Sequence, residues 1–593
     1  MINSNNNPLN ILNQVYGYPN FVGEQEKIIR HVLNGGSGLV LMPTGGGKSL
    51  CYQIPALMLS GVSIVVSPLI ALMQDQVAGL TELGIPALYL SSIQDSVENQ
   101  ENLKKIVDGR VKLVYITPEK LCSNWFLSFL SSIRVSLFAI DEAHCVSHWG
   151  HDFRPEYQKL SILKKCFPNV PRLALTATAD YYTKVDIVHF LGLKDCPIFA
   201  TSFNRSNIYY ATLEKNNGKQ QLLSFIIRHK SECGIVYCNS RKKVDDITNF
   251  LLLNNINAIN YHAGLESDVR NQNQRNFLQS SISVMVATVA FGLGIDKPDV
   301  RYVYHFDMPR SIDHFYQESG RAGRDGMSAI SVVNYGFKEI YELSQMILNG
   351  ESSELKKRYE LQKLKQMIAY CDNHSCRRQS LLSALGENIT VCGNCDLCND
   401  RNSLIDGSVI AQKVMSAIYR MQQRFGVGQV IDVLRGRATS TVQVWEHHKL
   451  STFGIACEYS EKELRRVIRQ LYSQDLVDID FNTGALKINA NSLPVMRGLK
   501  QVWLKSKNKM VRDIVTSSWL KTEIEERVYH NLVNWRHQMA VKHKVSHHAI
   551  LSDRTLREII QQKPQDETQL KDIYGIGTTK LRRFGSEILT ILN

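Results

Sequence analysis

The sequence predicts a multidomain α/β protein, with two tandem parallel-sheet units followed by a smaller, largely helical half. Three observations predict it. Short apolar runs alternate with helical stretches from residue 38 to about 340, a pattern that builds doubly wound parallel sheets. The first of these runs passes directly into a glycine loop of the kind that holds phosphate at a helix start. From Glu351 the period becomes helical, with Leu361, Leu364, Ile368 and Cys371 on one face. A chain of 593 residues is too long for one core and divides into about four domains.

Composition narrows the classes. Hydrophobic content of 44% and charged content of 21% are globular values. Lys and Arg number 69 against 56 Asp and Glu, a net charge of +13 that suits a polyanionic partner. The start, MINSNNNPLN, lacks the basic and apolar regions of a signal peptide. The most apolar run, residues 61–73, is short and broken by Pro68, so no membrane span is expected. Thirteen Cys without a signal peptide argue against disulfides; nine are scattered and four cluster. No internal repeat or low-complexity segment stands out.

In chain order, Tyr16, Tyr18 and Phe21 precede Gln25, which opens a helix. A Gln amide can both donate to and accept from an adenine edge, and a Tyr face can stack on the ring. Gly38, Leu39, Val40 and Leu41 then read as a buried strand, ended by Pro43 and Thr44. Gly45, Gly46 and Gly47 allow the tight turn of a P-loop, and Lys48 and Ser49 open a helix whose dipole favours phosphate. Lys48 is expected at the β/γ-phosphates and Ser49 Oγ on Mg²⁺. Met42 stands where the general P-loop pattern has Gly, which fits the helicase variant of the loop. Further strands end at Pro68, at Pro118 and in LFAIDEAH, which carries Asp141 and Glu142. Ligands bind at the carboxyl ends of such strands. Asp141 is therefore placed to hold Mg²⁺, directly or through water, and Glu142 to act as the general base on the attacking water.

Residues 208–340 form the second alternating unit, with GIVYCNS and SVMVATV as strands but no Lys-Ser loop after either. A unit of this kind makes sense as the other wall of one ATP cleft, with Arg321 and Arg324 supplying charge from across it. Cys376, Cys392, Cys395 and Cys398 then have the spacing of a tetrahedral structural zinc site, and thiolates so spaced also hold iron–sulfur clusters. Beyond the polar stretch 399–407 come helices and then LVDIDFNTGALKI, where Asn482, Thr483 and Gly484 punctuate a hairpin. The last segment is helical and polar. Its Gly575 and Gly577, ahead of Thr578 and Lys580, leave bare amides as a usable phosphate site, with Arg582 and Arg583 adding charge.

The order P-loop, SPLIALMQDQV, TPE, DEAH and LTATA is that of superfamily 2 helicases. CVSHWGHDFRPEY (145–157), VYCNSR (236–241), YHAGL, ATVAFGLGIDKPDVR and FYQESGRAGRDG resemble the RecQ family more specifically, and the resemblance runs from about Tyr16 to the C-terminus. It implies a RecA-like domain 1 over 1–207, a RecA-like domain 2 over 208–340, a zinc-binding module over 341–405, a winged helix over 406–517 and an HRDC-like domain over 518–593. It implies that Trp149, Phe153 and Arg154 sense single-stranded DNA and signal to the ATP site, bases stacking on the aromatic faces. Arg324 becomes the arginine finger with Arg321 beside it. Zn²⁺ is favoured for the four Cys, since Cys376 opens a CRR run typical of the family and CGNCDLC lacks the Pro that closes ferredoxin runs.

The implied activity is an ATP-dependent DNA helicase that translocates 3′ to 5′, in DNA recombination, repair and the SOS response. The implied partners are single-stranded and duplex DNA, with single-strand-binding protein and other recombination proteins, in a bacterial cytoplasm at the nucleoid. An RNA helicase is the rival within the class, opposed by the zinc, winged-helix and HRDC-like segments. A DNA-binding or strand-annealing scaffold that uses ATP only as a switch is the rival outside it, opposed by intact Lys48, Glu142 and Arg324. The chain departs from the family before Gln25. The usual order is Phe-Arg-x-x-Gln, and Val22 stands at the Arg position, where it can neither pack on adenine as a guanidinium does nor pair with a phosphate. Weaker ATP binding with little-changed chemistry is the expectation, the alternative being that Val22 packs in the core.

Overall fold

A computed structural model describes residues 7–91, 96–149, 152–230, 232–279, 284–289, 291–292, 297–399, 404–480, 482–505, 522–543 and 545–592. Parts of two sequence signatures, Gly150 and His151 in the aromatic-rich loop and residues 290 and 293–296 of the ATVAFGLGIDKPDVR run, lie outside the described residues, as does the start of the last segment.

The first sheet has seven strands: β1 (Gly38–Leu41), β2 (Val62–Val66), β3 (Ala87–Leu90), β4 (Leu113–Ile116), β5 (Val135–Ile140), β6 (Arg172–Thr176) and β7 (Ile198–Ala200). Their order is β3-β4-β2-β5-β6-β1-β7, and each recorded pairing is parallel. Helices cover both faces, so β1, β2 and β4 are buried along their whole length, as apolar runs without alternation require. Only β6 separates β1 from β5. The glycine loop after β1 and Asp141 after β5 therefore open on the same edge of the sheet. Main-chain bonds fix that edge: Met42 N–H donates to Thr176 O (3.1 Å) and Asp141 N–H to Val66 O (2.9 Å).

The second sheet has six strands: β8 (Ile208–Glu214), β9 (Cys233–Tyr237), β10 (Ala258–Tyr261), β11 (Val284–Ala287), β12 (Val300–His305) and β13 (Ala329–Tyr335). The order is β10-β11-β9-β12-β13-β8, again with parallel pairings. The two apolar runs read from sequence are β9 and β11.

The helix Glu354–Asp372 follows, burying Leu364, Ile368 and Cys371 as its period requires. The cysteine segment rides on the free edge of β8. Thr212 N–H donates to Asp396 (3.1 Å), and the buried Arg377 guanidinium bonds Asp396, Thr212 Oγ1 and the carbonyls of Tyr370 and Cys371. Strands β14 (Leu404–Asp406) and β17 (Trp503–Lys505) bracket a helical domain. Inside it, β15 (Asp478–Asp480) and β16 (Ala485–Lys487) form the antiparallel hairpin that the turn residues predict, with Gly484 at φ +74°. Its helix Glu461–Ser473 sends Arg469 to Asp372 (2.9 Å) and Arg466 to Glu214 (2.9 Å), fastening it to the helix Glu354–Asp372 and to β8.

The last domain, built on helices Glu523–His543, Asp553–Gln562 and Thr578–Leu592, returns to the first sheet unit. Gly575 N–H donates to Gly17 O (2.9 Å), Thr578 Oγ1 to Gln14 O (2.9 Å) and Arg583 to Glu82 (2.9 Å). The backbones approach so closely that a Cβ on Gly577 would lie 2.6 Å from Val15 O. This corrects the phosphate-site expectation for Gly575 and Gly577. The Gly575 amide is spent on Gly17, and Gly577 serves close packing between two domains. Among the described residues no helix is long and apolar enough to cross a membrane.

Candidate active site

The glycine loop needs its glycines for two different reasons. Gly45 (φ +80°) and Gly47 (φ +77°) hold left-handed backbone that a Cβ would strain, whereas Gly46 is pressed against Met42, 2.7 Å from where a Cβ would lie. The helix starts at Leu50 with Ser49 as its N-cap, so Lys48 and Ser49 stand in the turn just before it and not in its first turn. Thr44, Gly45, Gly47, Lys48 and Ser49 line a cleft of about 320 Å³ that also takes in Asp141, Glu142, Arg321 and Arg324. The structure thus brings the predicted phosphate, carboxylate and arginine residues together.

The carboxylates are set apart by environment. Burial and the adjacent Glu142 push the Asp141 carboxyl above the usual range, Lys48 opposing. Burial acts on Glu142 as well, yet Lys48, His144, Arg321 and Arg324 hold it below the usual range. Glu142 is thus kept ionised, as a base must be. It also sits at φ +47°, a backbone state that costs a non-glycine residue about 1–3 kcal/mol. His144 lies 3.3 Å from Glu142 and 2.9 Å from Thr176 Oγ1, and Gln317 of the second unit reaches Thr178 Oγ1 (3.4 Å). The end of β6 and the loop after it therefore reach Glu142 through His144 and the opposite wall through Gln317.

The walls are closed on each other. A Cβ on Gly45 would lie 3.3 Å from Arg324 Cγ and 3.5 Å from its Cα. Arg321 is buried, and its Nε finds no hydrogen-bond partner among the described residues. A buried guanidinium with donors to spare beside a P-loop suits a phosphate.

Tyr18 and Gln25 are placed less simply. Gln25 is buried, and its amide donates to Gly46 O (3.1 Å) and Gly47 O (3.3 Å) and accepts from Val22 N–H (2.9 Å). These bonds hold the glycine loop by its main-chain carbonyls. Val22 is 67% exposed, which rules out core packing. Tyr18 lines the cleft, but its ring is stacked by Tyr574 of the last domain (centroids 4.8 Å, 26°), and Arg554 lies 3.7 Å over Tyr574. His548, Ser552 and Tyr574 complete the cleft wall. Sequence reasoning missed these residues because nothing local marks them as facing another domain.

The aromatic loop lies at a second junction. The Trp149 ring is flanked by Tyr182 (5.5 Å) and Tyr359 (5.3 Å, edge-on), and Phe153 by His148 (3.7 Å). Arg154 pairs with Asp152 (3.2 Å) and donates to Pro68 O (2.7 Å) at the end of β2. Tyr359, on the helix before the cysteines, hydrogen-bonds Asp180, and Lys363 joins Asp180 (2.9 Å) to Asp313 of the second unit (3.0 Å). Tyr182, Asp180, Asp313, Tyr359 and Lys363 carry no motif and were not foreseen.

At the cysteines, the sulfurs of Cys376, Cys392, Cys395 and Cys398 all lie within 4.8 Å of one another. Main-chain N–H groups point at them, from Cys392 to Cys376 (3.3 Å), Asn394 to Cys392 (3.3 Å) and Cys398 to Cys395 (3.4 Å). Four convergent thiols with donors aimed at sulfur fit a tetrahedral Zn²⁺.

Five family profiles match in sequence: DEAD/DEAH box helicase over residues 23–186, Helicase conserved C-terminal domain over 218–326, RecQ zinc-binding over 337–399, RQC domain over 401–512 and HRDC domain over 525–592. The zinc-binding match over the cysteines supports zinc as the structural metal. "ATP-dependent DNA helicase RecQ" of Pasteurella multocida is 41% identical over 98% of this chain and 93% of its own length. The protein of the same name from Bacillus subtilis is 37% identical over 97% and 96%. Among solved structures, the helicase MrfA bound to DNA aligns with a TM-score of 0.48 at 18% identity, over 63% of this chain and 57% of that one. Full-length identity of this order, joined to the five successive domain matches, makes the chain a member of the RecQ family.

Proposed function

We propose that the protein is an ATP-dependent DNA helicase that hydrolyses ATP in the cleft between its two parallel-sheet units and translocates 3′ to 5′ on one strand, unwinding duplex DNA in recombination and repair. The observation that carries it is the closed cleft: the glycine loop lies against Arg324 of the other unit, with Asp141 and Glu142 in the same space. Lys48 would neutralise the β/γ-phosphates, and Ser49 and Asp141 would hold Mg²⁺, which when bound adds charge neutralisation on the phosphate oxygens. Glu142 orients the attacking water and takes its proton. Arg324 and Arg321 meet the charge that develops in the transition state. Tyr18 stacks on the base.

Trp149, Phe153 and Arg154 form the DNA-coupling element. Arg154 reaches Pro68 O in the first unit, while Trp149 packs on Tyr359, whose helix is tied to Asp313 of the second. A base that moves Trp149 therefore disturbs both walls of the ATP cleft. Single-stranded and duplex DNA are the substrates, single-strand-binding protein is a proposed partner, and the nucleoid of a bacterial cell the place of action. The test is unwinding by the full chain of duplexes with 3′ or 5′ single-stranded tails, in DNA and in RNA form. Unwinding of the 3′-tailed DNA alone is expected. Preference for the 5′ tail or for RNA would reject the polarity or the substrate.

A further inference from the structure

Arg205 lies in the stretch that joins the two sheet units, seven residues from the end of β7 to the start of β8 that carry no recognised chemistry. Its guanidinium makes four bonds, all to main-chain carbonyls. Nη1 donates to Thr44 O in the glycine loop (2.6 Å) and to Gly320 O (3.0 Å). Nη2 donates to Ala322 O (2.9 Å) and Gly323 O (2.8 Å). Gly320, Ala322 and Gly323 are interleaved with Arg321 and Arg324. A planar fork of fixed donors is what such a contact demands, and Lys cannot reproduce it. The joining stretch is itself anchored on both sides of Arg205. Glu387 accepts from Phe203 N–H (2.7 Å), and the buried Arg378 donates to Ser206 O (3.2 Å) and Ile208 O (2.7 Å).

We propose that Arg205 is a positioning residue for ATP hydrolysis, holding the backbone that carries Arg321 and Arg324 in place against the glycine loop when the cleft is closed. It touches neither phosphate nor water in this proposal and acts through Arg324, so the inference rests on the arginine-finger reading above. Because its anchors Glu387 and Arg378 belong to the cysteine-bearing module, that module helps to set the geometry of the ATP cleft.

The experiment is DNA-stimulated ATP turnover by the full chain as wild type, R205A, R205K, R324A and R205A/R324A, with binding of a non-hydrolysable ATP analogue measured on each. R205A is expected to lose at least about tenfold in kcat, since small misplacements of a catalytic group are costly, with analogue affinity within about threefold of wild type. R205K, which keeps the charge and loses the fork, is expected between wild type and R205A, and carries the test if R205A does not fold. The double variant is expected to be no slower than R324A, because a strut for Arg324 has nothing to hold once that side chain is gone. Wild-type kcat in R205A and R205K, a loss confined to KM, or losses that multiply in the double variant would overturn the proposal. If R324A alone keeps wild-type kcat, the arginine-finger reading fails instead, and the two failures are distinct.

Discussion

Tyr18 and Tyr574 pose the sharpest question at the scale of single residues. The ring expected to carry the base is covered by a ring from the far end of the chain. If the base uses the face that Tyr574 covers, the two rings compete for it and Tyr574 must move. Aromatic pairs are worth about 0.5–1.5 kcal/mol beyond their buried area, or about two- to tenfold in affinity. Tyr574→Ala should therefore lower the KM for ATP by about that factor and leave kcat nearly unchanged; an unchanged or higher KM would mean that Tyr574 helps to hold the base. Val22 stands nearby at the surface. Val22→Arg should add a cation at the rim of the base site and lower KM by about three- to tenfold, the worth of a charge-assisted contact. A variant with the wild-type KM would show that the exposed position faces away from the nucleotide. Lys48, Ser49, Asp141 and Glu142 were legible because phosphate chemistry dictates both their types and their spacing. Arg205 and Tyr574 were not, because a guanidinium on main-chain carbonyls, or a ring on a distant ring, leaves no local pattern.

At the scale of elements, the sheet strands that flank the cleft were readable as unbroken apolar runs, since both faces of a parallel sheet are covered. The edges were harder. β7 has three residues with only Phe199 buried, and β3 is half-buried, so neither stands out from its flanks. The cysteine module was legible as a metal site, but not as a structural neighbour of β8 and of the joining stretch. Its attachment there gives a prediction about metal. Cys395 lies in a backbone bridge to Tyr210 of β8, and its sulfur accepts from Arg377 and Cys398 N–H groups. Structural zinc contributes about 10–16 kcal/mol to folding in peptide systems. Cys395→Ser should drop zinc content from about one per chain and cut soluble yield. Any soluble fraction should show impaired ATP turnover as well as impaired DNA binding, because the module anchors the stretch that holds the cleft. Full turnover without zinc would separate the module from the cleft.

At the scale of the molecule, the chain closes on itself. The last domain binds the first unit through Gly575, Thr578 and Arg583 and lines the cleft with His548 and Tyr574. The helix Glu354–Asp372 ties the two units together through Lys363 and meets the aromatic loop through Tyr359. The last domain and the helix Glu354–Asp372 thus reach the place where the two sheets meet, as expected if opening and closing of that cleft is the motor stroke. The central claim is that ATP hydrolysis in the cleft drives strand separation. Glu142→Gln, measured side by side with wild type for DNA-stimulated ATP hydrolysis, duplex unwinding and single-strand binding, tests it most directly. Hydrolysis and unwinding should fall together by at least about a hundredfold, general-base catalysis being worth about 10²–10⁴, while ATP and single-strand binding persist. Unwinding that survives the loss of hydrolysis would contradict the account.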